Sequence, residues 1–259
     1  MGFLIACNRL IPAFAGMTEN SIFRLFTSPS ENRLRRNAPT MDNLPQQELQ
    51  AVCRNWAAAI SGIGDRDGRV AYFRAELPML LGRQPFFEGV LRGLLAGNPY
   101  PDLRQGTLFE NELILYREPG SKFSLRLYIF GPGEHTPVHD HLSWGVSGPA
   151  FGQLEVVRFR REGFSQEPNR VRLAVAARSL LAPGEIETTL PFDEGIHRTG
   201  NPAAGTTLMV SIYGRPLRRL YMQCYNLESG HVDRRYPPHM KKRMLAEQAL
   251  AAMGKESAA

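Results

Sequence analysis

The sequence predicts a mainly β fold, an antiparallel sandwich or barrel with a helical segment in front of it. Three observations carry this reading. Apolar residues recur every three or four positions from Leu44 to Leu95. After the stretch "NPYPDLRQG" the pattern changes to short runs, each bounded by Gly, Pro or Asn. No helical pattern separates those runs, as it would in a parallel sheet built from crossover helices. With 259 residues and 43% apolar content, the chain is long enough to bury a core.

The elements follow in order. Residues 1–40 mix Ser, Asn, Pro and Arg without periodicity, ending in "SPSENRLRRNAPT". They read as a disordered leader, or as upstream sequence ahead of a true start at Met41. The stretch "FLIACNRLIPAFAGM" is a poor secretory signal, because it lacks a positive start and Arg9 interrupts it. Residues 41–104 form the helical segment, packed on the barrel: Leu49, Val52, Trp56 and Ile60 mark a first helix, and "RVAYFRAELPMLLG" and "PFFEGVLRGLLAG" two more. Residues 105–235 hold the β runs "NELILYRE", "FSLRLYIFG", "QLEVVRFRRE", "RVRLAVAARSLLAPG", "EIETTLP" and "TTLMVSIYG". Residues 236–259 close the chain as an amphipathic helix or tail.

Charge and cysteine usage narrow the function classes. The net charge is +6, but half of it falls in residues 1–40 and the rest is spread without a block of one sign, so no nucleic acid partner is expected. No apolar run approaches the eighteen or so residues that span a bilayer, and no membrane association is expected. Cys7, Cys53 and Cys224 are odd in number and widely spaced, which argues against a disulfide framework and points to a cytoplasmic protein. A monomer or small homo-oligomer is expected.

The chemistry concentrates in "GPGEHTPVHDHLSWG", residues 131–145, which holds three of the six histidines. On a strand, His139 and His141 point to one face and Asp140 to the other. Two imidazoles on one strand fill one edge of a metal's coordination sphere, so a third ligand must come from elsewhere. "DEGIHRTGN" supplies His197 just before a strand. His135 shares the parity of the pair but sits in a turn, and His231 and His239 lie in the polar tail.

A Gly followed after five residues by His-x-His resembles the first cupin motif, and "HRTGN" resembles the end of the second. More closely, "RLYIFGPGEHTPVHDHLSWGV", "GIHRTGN" and "VSIYGRPLRRLY" together resemble the thiol dioxygenases, that is cysteine dioxygenase and the 3-mercaptopropionate dioxygenases, over Tyr116 to Tyr225. The resemblance implies a double-stranded β-helix, a jelly-roll barrel. It also implies Fe(II) held by His139, His141 and His197, with a small thiol and O2 as partners. The glutamate ligand of many cupins is missing from "LSWGV", in keeping with three neutral histidines.

The family also carries a Ser-x-His-x-Tyr relay. Here the resemblance puts Tyr213 in the tyrosine's place, with Ser211 for the histidine and Met209 for the serine. The relay is thereby broken, Ser211 is expected to hold a bridging water, and the freed volume suits a thiol other than cysteine. Gly145 stands where mammalian cysteine enzymes have a cysteine crosslinked to the tyrosine, so no thioether is expected. Trp144 reads either as pocket lining or as core. For the substrate carboxylate the resemblance points to Arg218 or Arg219, with Arg215 nearby and Arg117 a weaker candidate, and it places Glu112 or Leu113 where the cysteine enzymes have an Arg. Two other readings stay open: a metal-bearing cupin that binds a ligand without turnover, and a cupin enzyme using Mn, Ni or Zn.

Overall fold

The structure, a computed structural model, describes residues 44–163, 167, 169–217, 221–239, 241–246 and 248. All described residues belong to one compact unit within Met41–Ala259. The leader expected at residues 1–40 lies outside them.

Three helices open the described chain: α1 (Leu44–Ser61), α2 (Arg66–Leu81) and α3 (Gln84–Leu95). Each buries the stripe that its periodicity marks. Leu49, Cys53, Trp56 and Ile60 of α1, Phe73, Leu77 and Leu81 of α2, and Phe86, Phe87 and Val90 of α3 belong to one core cluster. α2 begins earlier than its apolar pattern, because the Asp65 side chain accepts a hydrogen bond from the Gly68 amide (2.7 Å) and caps the first turn. In the C-terminal segment, 238–239, 241–246 and 248 are helical, whereas 236–237 are not.

Eleven strands follow the three helices: β1 (Glu112–Arg117), β2 (Phe123–Phe130), β3 (Val138–His139), β4 (Gly145–Phe151), β5 (Leu154–Glu162), β6 (Arg172–Leu181), β7 (Glu187–Thr189), β8 (His197–Gly200), β9 (Thr207–Gly214), β10 (Met222–Tyr225) and β11 (Val232–Arg235). They form a five-stranded sheet in the order β1-β2-β9-β4-β7 and a six-stranded sheet in the order β11-β10-β3-β8-β5-β6. Neighbours within each sheet run antiparallel. From β2 to β5, and again from β7 to β10, successive strands alternate between the two sheets. That alternation is the winding of a double-stranded β-helix, the jelly-roll barrel expected.

The period of two along each strand decides what faces what. In the five-stranded sheet, Leu125, Leu127, Val146, Val210 and Ile212 turn outward and join the helical core. The alternate residues, among them Ser124, Arg126, Tyr128, Ser147, Ser211 and Tyr213, turn inward. Part of the interior is filled by Tyr128, Phe130, Leu154, Val156 and Met209. The remainder is the cavity that holds the site.

Candidate metal centre and its cavity

β3 and β8 are neighbours in the six-stranded sheet, and His139 is paired in register with His197. Cross-strand partners share a face, so a two-residue strand suffices to bring two imidazoles together. His141, two residues beyond His139, points the same way. The three rings form a nearly equilateral triangle, with centroid separations of 4.8 Å (139–141), 4.9 Å (139–197) and 4.6 Å (141–197). One ligand atom from each lies within 4.8 Å of the others, and no carboxylate or thiol joins the cluster among the described residues. His139, His141 and His197 are 2%, 8% and 6% exposed, so water does not saturate their nitrogens.

The protonation of the rings suits a cation. Burial, the largest influence, pulls His139 down to about 4, partly offset by its bond to the Pro137 carbonyl. Burial and then the neighbouring imidazole charges hold His141 and His197 well below the ordinary histidine range. All three are therefore neutral at pH 7, the state in which imidazole binds metal. His139 Nδ1–H donates to Pro137 O (2.9 Å), which fixes the tautomer and leaves the Nε2 lone pair for the site. The Nε2 atoms of His141 and His197 face each other at 2.8 Å. Two cis ligands of one ion, each about 2.1 Å from it, would be separated by roughly 3 Å. The donor set thus fits a divalent metal by spacing, burial and charge.

The other histidines do something else. His135 Nδ1 pairs with the Gly133 carbonyl (2.9 Å) and its Nε2 with Glu155 (3.2 Å), outside the triangle as its turn position suggests. His231 pairs with Asp233 at the surface. Asn201, which closes the "HRTGN" motif, is fully buried and donates to the carbonyls of Gly131 (2.9 Å) and Gly205 (2.5 Å), tying the end of β8 to the end of β2.

Beside His141 opens a cavity of about 210 Å³. Its apolar wall includes Leu108, Phe109, Pro216 and Met222, and its polar wall includes Glu112, Arg117, Arg126, Tyr128 and Tyr213. Tyr213 lies over His141 with ring centroids 5.5 Å apart and planes 21° from parallel. Burial raises its pKa, partly offset by hydrogen bonds from Ser211 and Tyr128 and by the Arg126 charge, so the phenol keeps its proton at neutral pH. Ser211 is fully buried and accepts a hydrogen bond from Ser147 Oγ (2.8 Å), its register partner on β4. A Ser147–Ser211 hydroxyl pair thus lies on the tyrosine's face of the sheet. The relay imidazole is absent, and the hydroxyl in its place takes its partner from the next strand.

Trp144, read above either as pocket lining or as core, packs against the helices. Strand alternation puts it on the helix-facing side with Val146, where it stacks on Phe73 (centroids 5.7 Å, planes 29°) in the core. Arg218 and Arg219 lie outside the described residues, and Arg215 is exposed. Arg126, Tyr128, Ser147 and the inward course of Glu112 were not expected. The one available signal was the polar alternation in "FSLRLYIF", Ser124, Arg126 and Tyr128, which reads equally well as a solvated face.

No protein-family model matches the chain. Solved structures with a similar fold include a cupin 2 conserved barrel domain protein from Salinispora arenicola, 19% identical, covering 44% of this chain and 83% of its own, at a TM-score of 0.32. A cupin domain from Bordetella pertussis is 20% identical, with coverages of 40% and 91% and a TM-score of 0.29. A cupin-2 domain of an XRE family transcriptional regulator from Enterobacter cloacae is 16% identical, with coverages of 41% and 96% and a TM-score of 0.30. The strand order of this chain makes it a jelly-roll barrel with an N-terminal helical segment, and it carries a buried three-histidine cluster.

Proposed function

We propose that the protein is a non-haem iron thiol dioxygenase that oxidises a small carboxylated thiol, nearer to 3-mercaptopropionate than to cysteine, to its sulfinate. The observation that carries this reading is a triangle of three neutral, buried imidazoles, free of carboxylate, opening on a cavity walled by Tyr213 and Arg126. The reaction is RS⁻ + O2 → RSO2⁻: both oxygen atoms end on sulfur, which gives up the four electrons that dioxygen takes.

His139, His141 and His197 would hold the iron. Fe(II) bound by three neutral ligands would keep its 2+ charge, and it would supply the attraction for a thiolate and the redox chemistry with dioxygen. The chain's own groups do the rest. Tyr213, fixed by Ser211 and Tyr128, presents a protonated hydroxyl beside His141 that can donate to an oxygen in the cavity. Phe109, its ring centroid 5.2 Å from that of His139, and Met222 limit water at the imidazoles.

A second reading is favoured by one feature: Ser211 has no basic nitrogen, and a site built only to bind needs none. In that reading the protein is a metal-bearing cupin that senses or stores a small molecule. The separating experiment is oxygen uptake by anaerobically iron-loaded protein with cysteine, 3-mercaptopropionate, mercaptosuccinate and cysteamine. One O2 consumed per sulfinate formed supports the dioxygenase, whereas no uptake with any thiol, iron content being verified, supports the binding protein.

A further inference from the structure

The cavity has a second charged region besides the imidazoles. Arg126, in the middle of β2, points inward with 22% of its side chain exposed, and its Cζ lies 5.4 Å from the centroid of the Tyr213 ring. Its guanidinium is held on two sides. Nε donates to Ser124 Oγ (3.2 Å), and Nη1 pairs with Glu112 Oε1. Glu112 is itself enclosed, and its other oxygen accepts from the amides of Leu108 (3.1 Å) and Phe109 (3.3 Å). The guanidinium is thereby immobilised while its remaining N–H donors have no partner among the described residues.

A buried ion pair gains little over an apolar pair of the same volume, so stability alone gives weak grounds for placing one here. An arginine clamped by one carboxylate and open to a cavity is a preset fork for another. Arg117 lines the same cavity, with no ion pair or hydrogen bond among the described residues. Arg117 and Arg126 thus face one cavity, and partial burial and then the Arg126 charge depress the Arg117 pKa, partly offset by Glu112. The acidic groups in the wall are committed elsewhere: Glu112 to Arg126, Glu118 to the Lys122 amide (2.9 Å), and Asp140 to the Gln223 amide (2.8 Å) and the Tyr225 hydroxyl. An anion entering the cavity would relieve the repulsion between the arginines.

We infer that Arg126, set by Glu112 and Ser124, receives the carboxylate of the substrate, and that Arg117 contacts a second negative group where the ligand carries one. The site therefore prefers mono- and dicarboxylated thiols to a cationic thiol such as cysteamine. The thiol part of this inference rests on the dioxygenase reading, but the anion part does not.

Two measurements keep them apart. In turnover, Arg126→Gln raises KM for 3-mercaptopropionate about 10- to 100-fold, the worth of a charge-assisted pair, and changes kcat less. Arg117→Gln removes any advantage of mercaptosuccinate over 3-mercaptopropionate. In calorimetry on the same iron-loaded protein, succinate, which has no thiol, binds wild type and loses affinity by a similar factor in Arg126→Gln. If the single variant misfolds because Glu112 is left unpaired, the Glu112→Gln/Arg126→Gln double variant removes both charges together and is read instead. Succinate binding and the 3-mercaptopropionate KM both within twofold of wild type, in a folded variant with normal iron content, overturn the inference. If wild type consumes no thiol, the dioxygenase reading fails, and succinate binding still decides the role of Arg126.

Discussion

Gly145 and Tyr213 are register partners on β4 and β9, and a Cβ at position 145 would stand 2.8 Å from two carbons of the tyrosine ring. Any side chain at 145 therefore displaces the ring from its stacked position over His141. Gly145→Ala is expected to cost about 1–3 kcal/mol, the usual range for overpacking, and to slow oxygen uptake. Gly205→Ala, where nothing lies within 4 Å of the added atom, is the control and should change neither. Thermal denaturation and oxygen uptake on the two variants test the contact.

The hydroxyl pair behind the tyrosine makes its own prediction. Ser211→Ala removes the link between Ser147 and Tyr213 and leaves Ser147 without its acceptor. Losing one such bond, worth about 1 kcal/mol, should lower kcat roughly fivefold with little change in KM. An equal rise in KM would instead mean that Ser211 shapes the thiol pocket.

The metal cluster predicts a contrast between histidines. His197→Ala should abolish iron retention, and a chelator should lower the melting temperature of wild type but not of this variant. His135→Ala, which loses its bonds to Gly133 and Glu155 outside the triangle, should keep its iron. Iron content after desalting and paired melting curves decide it.

Trp144 should behave as a core residue. Trp144→Ala is expected to cost about 3–5 kcal/mol, the range for large aromatic truncations, with iron content per folded protein unchanged. Denaturant unfolding together with metal analysis checks both halves.

Cys53 gives a pH dependence. Burial raises its thiol from 9.0 to about 12, so the folded chain keeps a proton that the unfolded chain releases above pH 9. Stability must then fall between pH 9 and about pH 12, by about 1.4 kcal/mol per pH unit from this group. Urea unfolding at pH 8, 9, 10 and 10.5 should show a steeper loss in wild type than in Cys53→Ala. Equal slopes would remove the prediction.

The histidine triangle was legible because imidazoles are scarce in this chain and because strand parity is a strict rule. The helices were legible from periodicity, except that α2 starts at a cap, Asp65, inside a stretch that read as loop. β4 was not legible at all. Its sequence, "GVSGPAF", reads as punctuation, yet Gly145 leaves room for the Tyr213 ring, and a Cβ at Gly148 would meet the Glu185 carbonyl and Leu81. Arg126 was missed for a related reason. Alternation tells which residues leave the apolar face, but not whether the other face meets water or a cavity; that depends on a second sheet whose position no local pattern encodes. Trp144 was the mirror case, an aromatic beside the motif whose parity sends it toward α2.

The division of labour between the two layers has an evolutionary consequence. The three clustered histidines sit on or beside β3 of the six-stranded sheet and on β8 in it, whereas Tyr213, Ser211, Ser147 and Arg126 all belong to the five-stranded one. Substitutions on β2, β4 and β9 can retune what the cavity admits without touching the imidazoles. Descendants of such a barrel can diverge in diet while inheriting the same triangle.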